Sequence, residues 1–536
     1  MKEIKIKRSL LSVYDKTGIV KLAKVLKSHD CEIISTGGTR RKLESAGINV
    51  TGIENFTKHP EAFGGRMKTI SFNIESSLLF DREKDREEAE SLGIKPIDLV
   101  VCNFYPFPAK ENETNNLDKL IENIDIGGPT MIRAAAKNFK YVSVLCNPDK
   151  YLDFSKEIQA NAGKISYETR KKLMNRAFDY TADYDALIAS TMNKLSKNKT
   201  IRMHFSGGKK LRYGENSHQT GRLYSDGKNK YSLMNMQILH GKKISFNNVS
   251  DIDSAVESVK QFKVTACAVV KHNNPCGLAT GDNTKEVFKS AWYGDSVSAF
   301  GSVIAFNKQI DLDTVKFLNL KHKNRLKRKF IEIIIAPDFT DAALNYLKFH
   351  KNLRIIKLDP YKIDYDYEYK FFNGILLEQD KDKKLYDKIE VVTQTKNKLA
   401  NNQKLINFGL KAIKMIKSNA IAIVRKHQNG NQLLGMGAGQ PNRIVASQLA
   451  IAKARENLKK EYTGKKFAEY YKDEMSKTIL ISDAFFPFPD NVELAAENNI
   501  KTIVQPGGSI RDKKVIKRCN ELNLCMVFTG LRHFKH

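Results

Sequence analysis

The sequence predicts an α/β protein of two domains. Three observations carry that expectation. Short apolar runs of strand length alternate with segments of helical spacing. A polar, lysine-rich stretch at residues 193–200 interrupts the alternation, and 536 residues exceed what one hydrophobic core usually serves. The expected domains are therefore residues 1–198 and 199–536, with a subdomain junction in the larger one at about 360–390.

The elements follow in order. Met1-Lys-Glu-Ile-Lys-Ile-Lys alternates charge with single isoleucines; it reads as an opening strand and lacks the apolar run of a signal peptide. Strands are expected at Arg8–Val13, Glu32–Ser35, 99–104 and 141–146. Residues 16–28 place Ile19, Leu22, Ala23, Val25 and Leu26 at helical spacing, and further helices are expected at 40–46 and 170–192. Beyond Leu211, buried-strand runs fall at 266–270, 302–306, 331–335, 421–424, Thr478–Ser482 and Thr502–Gln505. The charged, tyrosine-rich stretches 361–370 and 379–388 read as surface excursions, and no short-period repeat is visible.

Composition narrows the class. With 41% hydrophobic and 28% charged residues, 31 Gly and 13 Pro, the chain is ordered and globular. No apolar stretch approaches the ~20 residues that cross a bilayer, so a cytoplasmic protein without a membrane partner is expected. The seven cysteines form no Cys-x-x-Cys pair and mostly sit in apolar runs, which argues against a disulfide framework or a structural zinc site. The net charge of +30 is spread over almost every segment, without a basic tail. It therefore favours gathering of small anionic substrates over a nucleic-acid partner.

In the N-terminal domain, Ser35-Thr36-Gly37-Gly38-Thr39 lies between a strand and a helix, where backbone N–H groups and the helix dipole favour an anion. Ser12-Val-Tyr-Asp-Lys16-Thr-Gly ends another strand. Two such loops at carboxyl ends of strands favour a phosphorylated ligand over simple turns. Gly64-Gly-Arg66-Met-Lys68-Thr69 adds two cations in a glycine-rich loop, and Asp125-Ile-Gly-Gly-Pro-Thr-Met-Ile-Arg133-Ala-Ala-Ala-Lys137 combines an acid, a glycine turn and two cations on one helical face.

In the C-terminal domain, Lys271-His272-Asn273-Asn-Pro275-Cys-Gly277 follows a strand that proline and glycine are expected to end sharply, displaying Lys271 and His272 at its carboxyl end. An adjacent ammonium disfavours a charged imidazole, which suits His272 to accept a proton. Arg212 in Leu-Arg-Tyr-Gly-Glu-Asn, Asn419 in Ser-Asn-Ala, and Arg443 closing Gly435-Met-Gly-Ala-Gly-Gln-Pro-Asn-Arg offer further polar groups. Phe485-Phe-Pro487-Phe-Pro-Asp490 reads equally as core or as one wall of a pocket for a flat ring.

The N-terminal segments, with Cys102-Asn-Phe-Tyr105-Pro-Phe, resemble the inosine monophosphate (IMP) cyclohydrolase domain of the bifunctional purine-biosynthesis family. The fold of that domain is similar to methylglyoxal synthase, a three-layer α/β architecture. From Leu211 onward the chain is similar to the same family's 5-aminoimidazole-4-carboxamide ribonucleotide (AICAR) formyltransferase, a pair of cytidine-deaminase-like α/β subdomains without catalytic metal. The resemblance implies that Lys68, Tyr105, Asp125 and Lys137 serve ring closure of the formylated intermediate (FAICAR), and that Ser12, Lys16, Ser35–Thr39, Arg66 and Thr69 hold its nucleotide. It implies that Lys271 lies near the transferred formyl group, that His272 takes the proton of the attacking amine, and that Asn419 bonds the formyl oxygen. Arg212, Asn248, Arg443 and Arg532 then meet the nucleotide, while Phe485, Pro487 and Asp490 line the side of the folate. The implied co-substrate is 10-formyltetrahydrofolate and the implied assembly a homodimer.

The chain departs from the family in two places. Where relatives continue Lys-Thr with Leu-His-Pro and a His-Gly-Gly-Ile-Leu-like stretch, it reads Ile70-Ser71-Phe72-Asn-Ile-Glu75-Ser76-Ser77. Ser302 stands where bacterial relatives generally have a second glycine. Two expectations follow: an enzyme catalysing both steps, or a formyltransferase whose N-terminal domain only binds a nucleotide.

Overall fold

The computed structural model describes residues 3–107, 111, 113–227 and 232–536. The chain forms two compact units, residues 1–204 and 205–536.

The first unit is built on five strands, β1 (Arg8–Val13), β2 (Glu32–Ser35), β3 (Thr51–Gly52), β4 (Leu99–Asn103) and β5 (Ser143–Leu145), in the order β3-β2-β1-β4-β5. All neighbours are parallel. Every residue of β4 is buried, which requires cover on both faces of the sheet and explains its unbroken apolar run. Local chemistry sets the element ends. The first helix begins at Ile19 and not at Lys16, because Gly18 adopts a φ of 73°, outside helical space. The second spans Gly37–Glu44, so the paired glycines form its first turn instead of preceding it. The long helix runs Tyr167–Leu195, capped by Ser166, whose hydroxyl accepts from the Thr169 N–H.

The second unit carries a twelve-stranded sheet. Its strands are β6 (Gln237–His240), β7 (Thr265–Lys271), β8 (Asn274–Gly281), β9 (Ser302–Phe306), β10 (Ile331–Ala336), β11 (Arg354–Lys357), β12 (Glu390–Val391), β13 (Ile421–His427), β14 (Gly430–Gly437), β15 (Thr478–Ser482), β16 (Thr502–Gln505) and β17 (Cys525–Phe528). Their order is β6-β11-β10-β9-β7-β8-β14-β13-β15-β16-β17-β12. The sheet is a tandem repeat. In one half β7 pairs antiparallel with β8 and β9, and β9, β10 and β11 run parallel. In the other, β13 pairs antiparallel with β14 and β15, and β15, β16 and β17 run parallel. The antiparallel contact of β8 with β14 joins the halves. One apolar cluster draws on both halves, while each half has its own cluster on the other face. Between the halves, the stretches expected at the surface include an exposed hairpin, Tyr367–Phe372 with Ile375–Asp380.

The repeat also locates an asymmetry. A bulge after Val269 in β7 matches one after Ile423 in β13, so Lys271 and Arg425 occupy equivalent places. Arg425 is 2% exposed and donates to Gln432, Glu461 and Glu474, a structural role. Lys271 instead emerges at the tip of its hairpin.

Candidate active sites

In the first unit, the loops following β1, β2 and β4 meet at the carboxyl edge of the sheet. Asn103 fixes the loop after β1: its carbonyl accepts the N–H groups of Tyr14 and Asp15 at 2.7 and 2.8 Å. Thr39 bridges to the same loop, accepting from the Val13 N–H and donating to its carbonyl, each at 3.0 Å. Ser12 and Thr36 hydroxyls lie 2.9 Å apart. The amino end of helix Gly37–Glu44 thus faces the β1 loop, with no side chain capping it. Two ammonium groups reach it. A Cβ on Gly37 would stand 3.0 Å from Lys68 Nζ, and one on Gly38 would stand 3.8 Å from Lys16 Nζ. An uncapped helix start, glycines without side chains and two lysines give this turn the chemistry that favours an anion. Ser35 takes no part through its hydroxyl, which is buried and donates to Leu11 O at 2.9 Å.

Asp125 accepts from Gly128 N–H at 2.8 Å, and burial raises its pKa above the ordinary carboxylate range. Thr69 is buried against the same turn, its hydroxyl 2.3 Å from where a Gly127 Cβ would stand. Tyr105 is exposed and packs edge-on to Tyr14 at 5.5 Å. Two expected residues stand apart. Arg66 is paired with Glu122 at the surface, its side chain 70% exposed. Lys137 closes helix Gly127–Lys137, which runs against the strands, so about 15 Å of helix separates it from the Asp125 turn. Helical spacing correctly put Lys137 beside Arg133, but the helix direction carries it to the other edge of the sheet.

The altered segment after Lys68 is ordered. Ser71 caps helix Phe72–Leu79 by accepting from the Ile74 N–H at 3.2 Å, and Asn73 donates to Thr57 O at 3.0 Å. Lys68 itself approaches Glu61 at 3.2 Å.

In the second unit, β7 extends through Lys271 and ends in a two-residue turn, His272-Asn273, with φ of 53° and 63°. This corrects the expectation that proline and glycine stop the strand: Pro275 and Gly277 lie inside β8, and the turn reverses the chain. Both turn residues in left-handed space give the tight hairpin its twist. Helix Phe246–Lys260 pins the turn, because Asp251 accepts from the Asn273 N–H at 2.7 Å and Ser250 donates to the Asn273 carbonyl at 2.8 Å. Burial raises the Asp251 pKa. Lys271 Nζ donates to Phe300 O at 2.7 Å, and His272 is exposed beside it.

The hairpin leads directly to Asn419. Asn274 accepts from the Lys417 N–H at 3.0 Å, two residues before it. The Asn419 amide donates to Gln440 O at 2.8 Å, and its carbonyl accepts from Arg443 at 2.7 Å. Arg443 also pairs with Asp483, which is 0% exposed and accepts from the Ala420 N–H at 3.0 Å. Arg443 thus bonds the Asn419 carbonyl with one terminal nitrogen and Asp483 with the other. The carboxyl-terminal segment completes the cluster: His533 N–H donates to Asp483 O at 2.8 Å and Lys535 O accepts from Ser418 N–H at 2.9 Å, which leaves Arg532 exposed next to them.

Around this centre, Phe485 is exposed, Phe486 is fully buried, and Pro487 and Asp490 are partly covered, so the aromatic cluster is both core and surface. Asp490 accepts from both nitrogens of Asn491 at 2.8 Å. Arg212 is exposed, stacked at 5.2 Å on Tyr213, and its N–H donates to Ile244 O near the helix that holds the turn. Asn248 sits in that helix's capping box, its carbonyl accepting from Ser245 N–H at 3.1 Å. Ser302 is buried, and its hydroxyl has no hydrogen-bond partner among the described residues.

Asp251, Ser250 and Asp483 were not among the expected site residues. Their roles depend on partners at least twenty residues away in the chain, which no local pattern reveals. Among the described residues, no group of His, Cys, Asp and Glu is placed to hold a metal ion, and no helix is long and apolar enough to cross a membrane.

Comparison with known proteins identifies the family. The family model for the AICARFT/IMPCHase bienzyme matches residues 135–453, and that for the MGS-like domain matches residues 18–130. A bifunctional purine biosynthesis protein PurH of Caldicellulosiruptor bescii is 43% identical over 99% of this chain and 100% of its own length. Two PurH proteins of Clostridium botulinum are 42% and 43% identical with the same coverage. The chain belongs to the AICARFT/IMPCHase bienzyme family.

Proposed function

We propose that this enzyme transfers a formyl group from 10-formyltetrahydrofolate to AICAR and then cyclises the product to IMP, one step in each unit. The observation that carries the reading is that each unit holds its own constellation: Lys16 and Lys68 over Gly37-Gly38 in one, and the Lys271-His272 hairpin joined to Asn419 in the other.

In the first step the exocyclic amine attacks the formyl carbon, a C–N bond forms, and the bond from that carbon to the folate nitrogen breaks. The attacking nitrogen loses a proton, which His272 takes, and the departing folate nitrogen gains one in exchange, so that it leaves as a neutral amine. Lys271, held by the Phe300 carbonyl, balances charge developing on the formyl oxygen. The amine is delocalised and weakly nucleophilic, so orienting two bound substrates supplies much of the acceleration. Asn419, fixed by Arg443, gives one edge of that orientation. In the second step the carboxamide nitrogen of FAICAR attacks the formamide carbon and a C–N bond forms; the former carbonyl oxygen leaves as water with one proton from that nitrogen and one from the formamide N–H, which leaves a C=N bond in the new ring. Asp125 takes the nitrogen's proton and Tyr105 lies within the same edge of the sheet, while Lys16 and Lys68 hold the phosphate.

Two properties are part of the same reading. The homodimer gains support from the exposed hairpin, where Phe371, Ile375 and Leu377 face outward on a two-stranded ribbon of a kind that is marginally stable alone. The abundant positive charge suits two anionic substrates in the cytoplasm, without a nucleic-acid partner.

Purified protein supplied with AICAR and 10-formyltetrahydrofolate tests the reading: IMP is expected, whereas FAICAR accumulating at the uncatalysed cyclisation rate leaves only the transferase. Two variants test the first site. If Asp125 acts as a base, cyclisation is lost as pH falls through its raised pKa, so the acid limb of the kcat/KM profile lies above the usual carboxylate range. Asp125→Asn should lower the rate and flatten that limb; an unchanged limb removes Asp125 from proton transfer. Gly37→Ala pushes a methyl group toward Lys68 Nζ and should raise KM for FAICAR with stability changed by less than about 0.5 kcal/mol. An unaltered KM contradicts a phosphate at this turn.

A further inference from the structure

The first unit has a cavity at the edge of its sheet opposite the phosphate loops. Because β1, β2, β4 and β5 are parallel, Ser12, Thr36 and Phe104 lie at one edge, while Arg8, Asp98 and Tyr141 lie at the other, one strand length (about 17 Å) away. The cavity there measures about 1030 Å³ and also draws on the start of helix Tyr167–Leu195. That volume takes a whole small-molecule ligand.

Its charge selects an anion. Seven lysines and arginines line it against three carboxylates. Of the three, Asp98 is already engaged: it accepts from the N–H groups of Lys7 and Arg8 at 2.8 Å each, and from Arg82 at 2.6 Å. Two guanidinium groups form the inner wall. Arg170 is 1% exposed and donates to the carbonyl oxygens of Phe139 and Ile165 at 3.0 and 2.6 Å. Burial and the charge of Arg82 lower its pKa, so added negative charge nearby is favourable. Arg82 donates one nitrogen to Asp98 and another to Ile97 O, while its buried Nε–H has no acceptor among the described residues. Lys95 and Lys140 are exposed at the rim.

The same wall presents flat rings. Arg82 lies 5.7 Å from the ring centre of Tyr141, and Arg170 lies 5.9 Å from that of Tyr167. The part-exposed rings of Tyr141 and Tyr167, each with a guanidinium close by, can stack on an aromatic ring, and the cationic rim suits several phosphate oxygens. We propose that this cavity binds a nucleoside polyphosphate, its base against Tyr141 and Tyr167 and its phosphates toward Lys95 and Lys140. The site lies at the opposite edge of the sheet from the phosphate loops of its own unit and does not depend on the assignment of either reaction.

Equilibrium dialysis of the full-length protein with ATP, in the presence of saturating AICAR and IMP, tests the proposal. Saturable ATP binding is expected, weakened at least about tenfold by the double variant Lys95→Glu/Lys140→Glu, as loss of charge-assisted contacts implies. Both lysines lie at the sheet edge opposite the phosphate loops and neither is assigned a part in either reaction, so the variant should keep wild-type rates of formyl transfer and cyclisation without ATP. Inorganic triphosphate should bind more weakly than ATP. Absence of saturable binding, or binding indifferent to the double variant, overturns the site. Triphosphate binding as tight as ATP overturns recognition of the base.

Discussion

His272→Ala is expected to abolish formyl transfer, by about 10²- to 10⁴-fold as for a positioned general base, while cyclisation of supplied FAICAR continues at the wild-type rate. The separation follows from the architecture. His272 is exposed at a hairpin tip whose geometry is fixed from behind by Asp251 and Ser250 acting on Asn273, not on His272. Removing the imidazole therefore leaves the turn, the Lys271 contact with Phe300 and the Asn274 link to Lys417 in place. Binding of AICAR should change less than kcat, since the group acts on a proton in flight. Steady-state kinetics of each half-reaction reads the outcome, and loss of both activities in a folded variant would contradict two independent sites.

Arg443→Met should show the other large effect, on stability and transfer together. Its side chain is 9% exposed and faces Asp483, which is 0% exposed. Removing one partner of a buried pair costs about 3–5 kcal/mol, because a buried charge loses its counterpart. Denaturant midpoints measure this. Asp483→Asn added to Arg443→Met removes that charge and should recover most of the stability. Transfer should stay depressed by about 10²-fold in both, because Asn419 has lost the donor that orients its carbonyl and small displacements of positioned groups are costly. Full recovery of activity along with stability would reduce Arg443 to a scaffold residue.

These two residues also show how much of the site is legible in the sequence. The apolar runs of β4, β9 and β10 and the helical spacing after Gly18 follow from short-range patterns, and those elements form close to their expected bounds. The place of Lys271-His272 at the end of a strand was legible in the sequence. That His272 forms a hairpin turn was not, because this depends on β8 returning beside β7 despite Pro275. Arg443, at the end of a glycine-rich loop, has the local appearance of a phosphate ligand. Only the fold brings Asp483, forty residues later, against it. Lys137 shows the complementary limit, since spacing gives its helical face and not the direction in which the helix runs. The tandem repeat left a trace as well, in Ala268-Val-Val-Lys-His against Ala422-Ile-Val-Arg-Lys. Its period exceeds the window in which short repeats are sought, and the second copy has turned its cation inward as Arg425.

Two sites with separable chemistry are the central claim, and the altered segment Ser71–Ser77 is where it is most exposed to test. The direct measurement is cyclisation of FAICAR by the His272→Ala protein with no folate present. Formation of IMP well above the uncatalysed rate, lost on adding Lys68→Ala, is the predicted result. Cyclisation at the uncatalysed rate by folded protein would contradict it and leave a formyltransferase whose first unit only binds nucleotide.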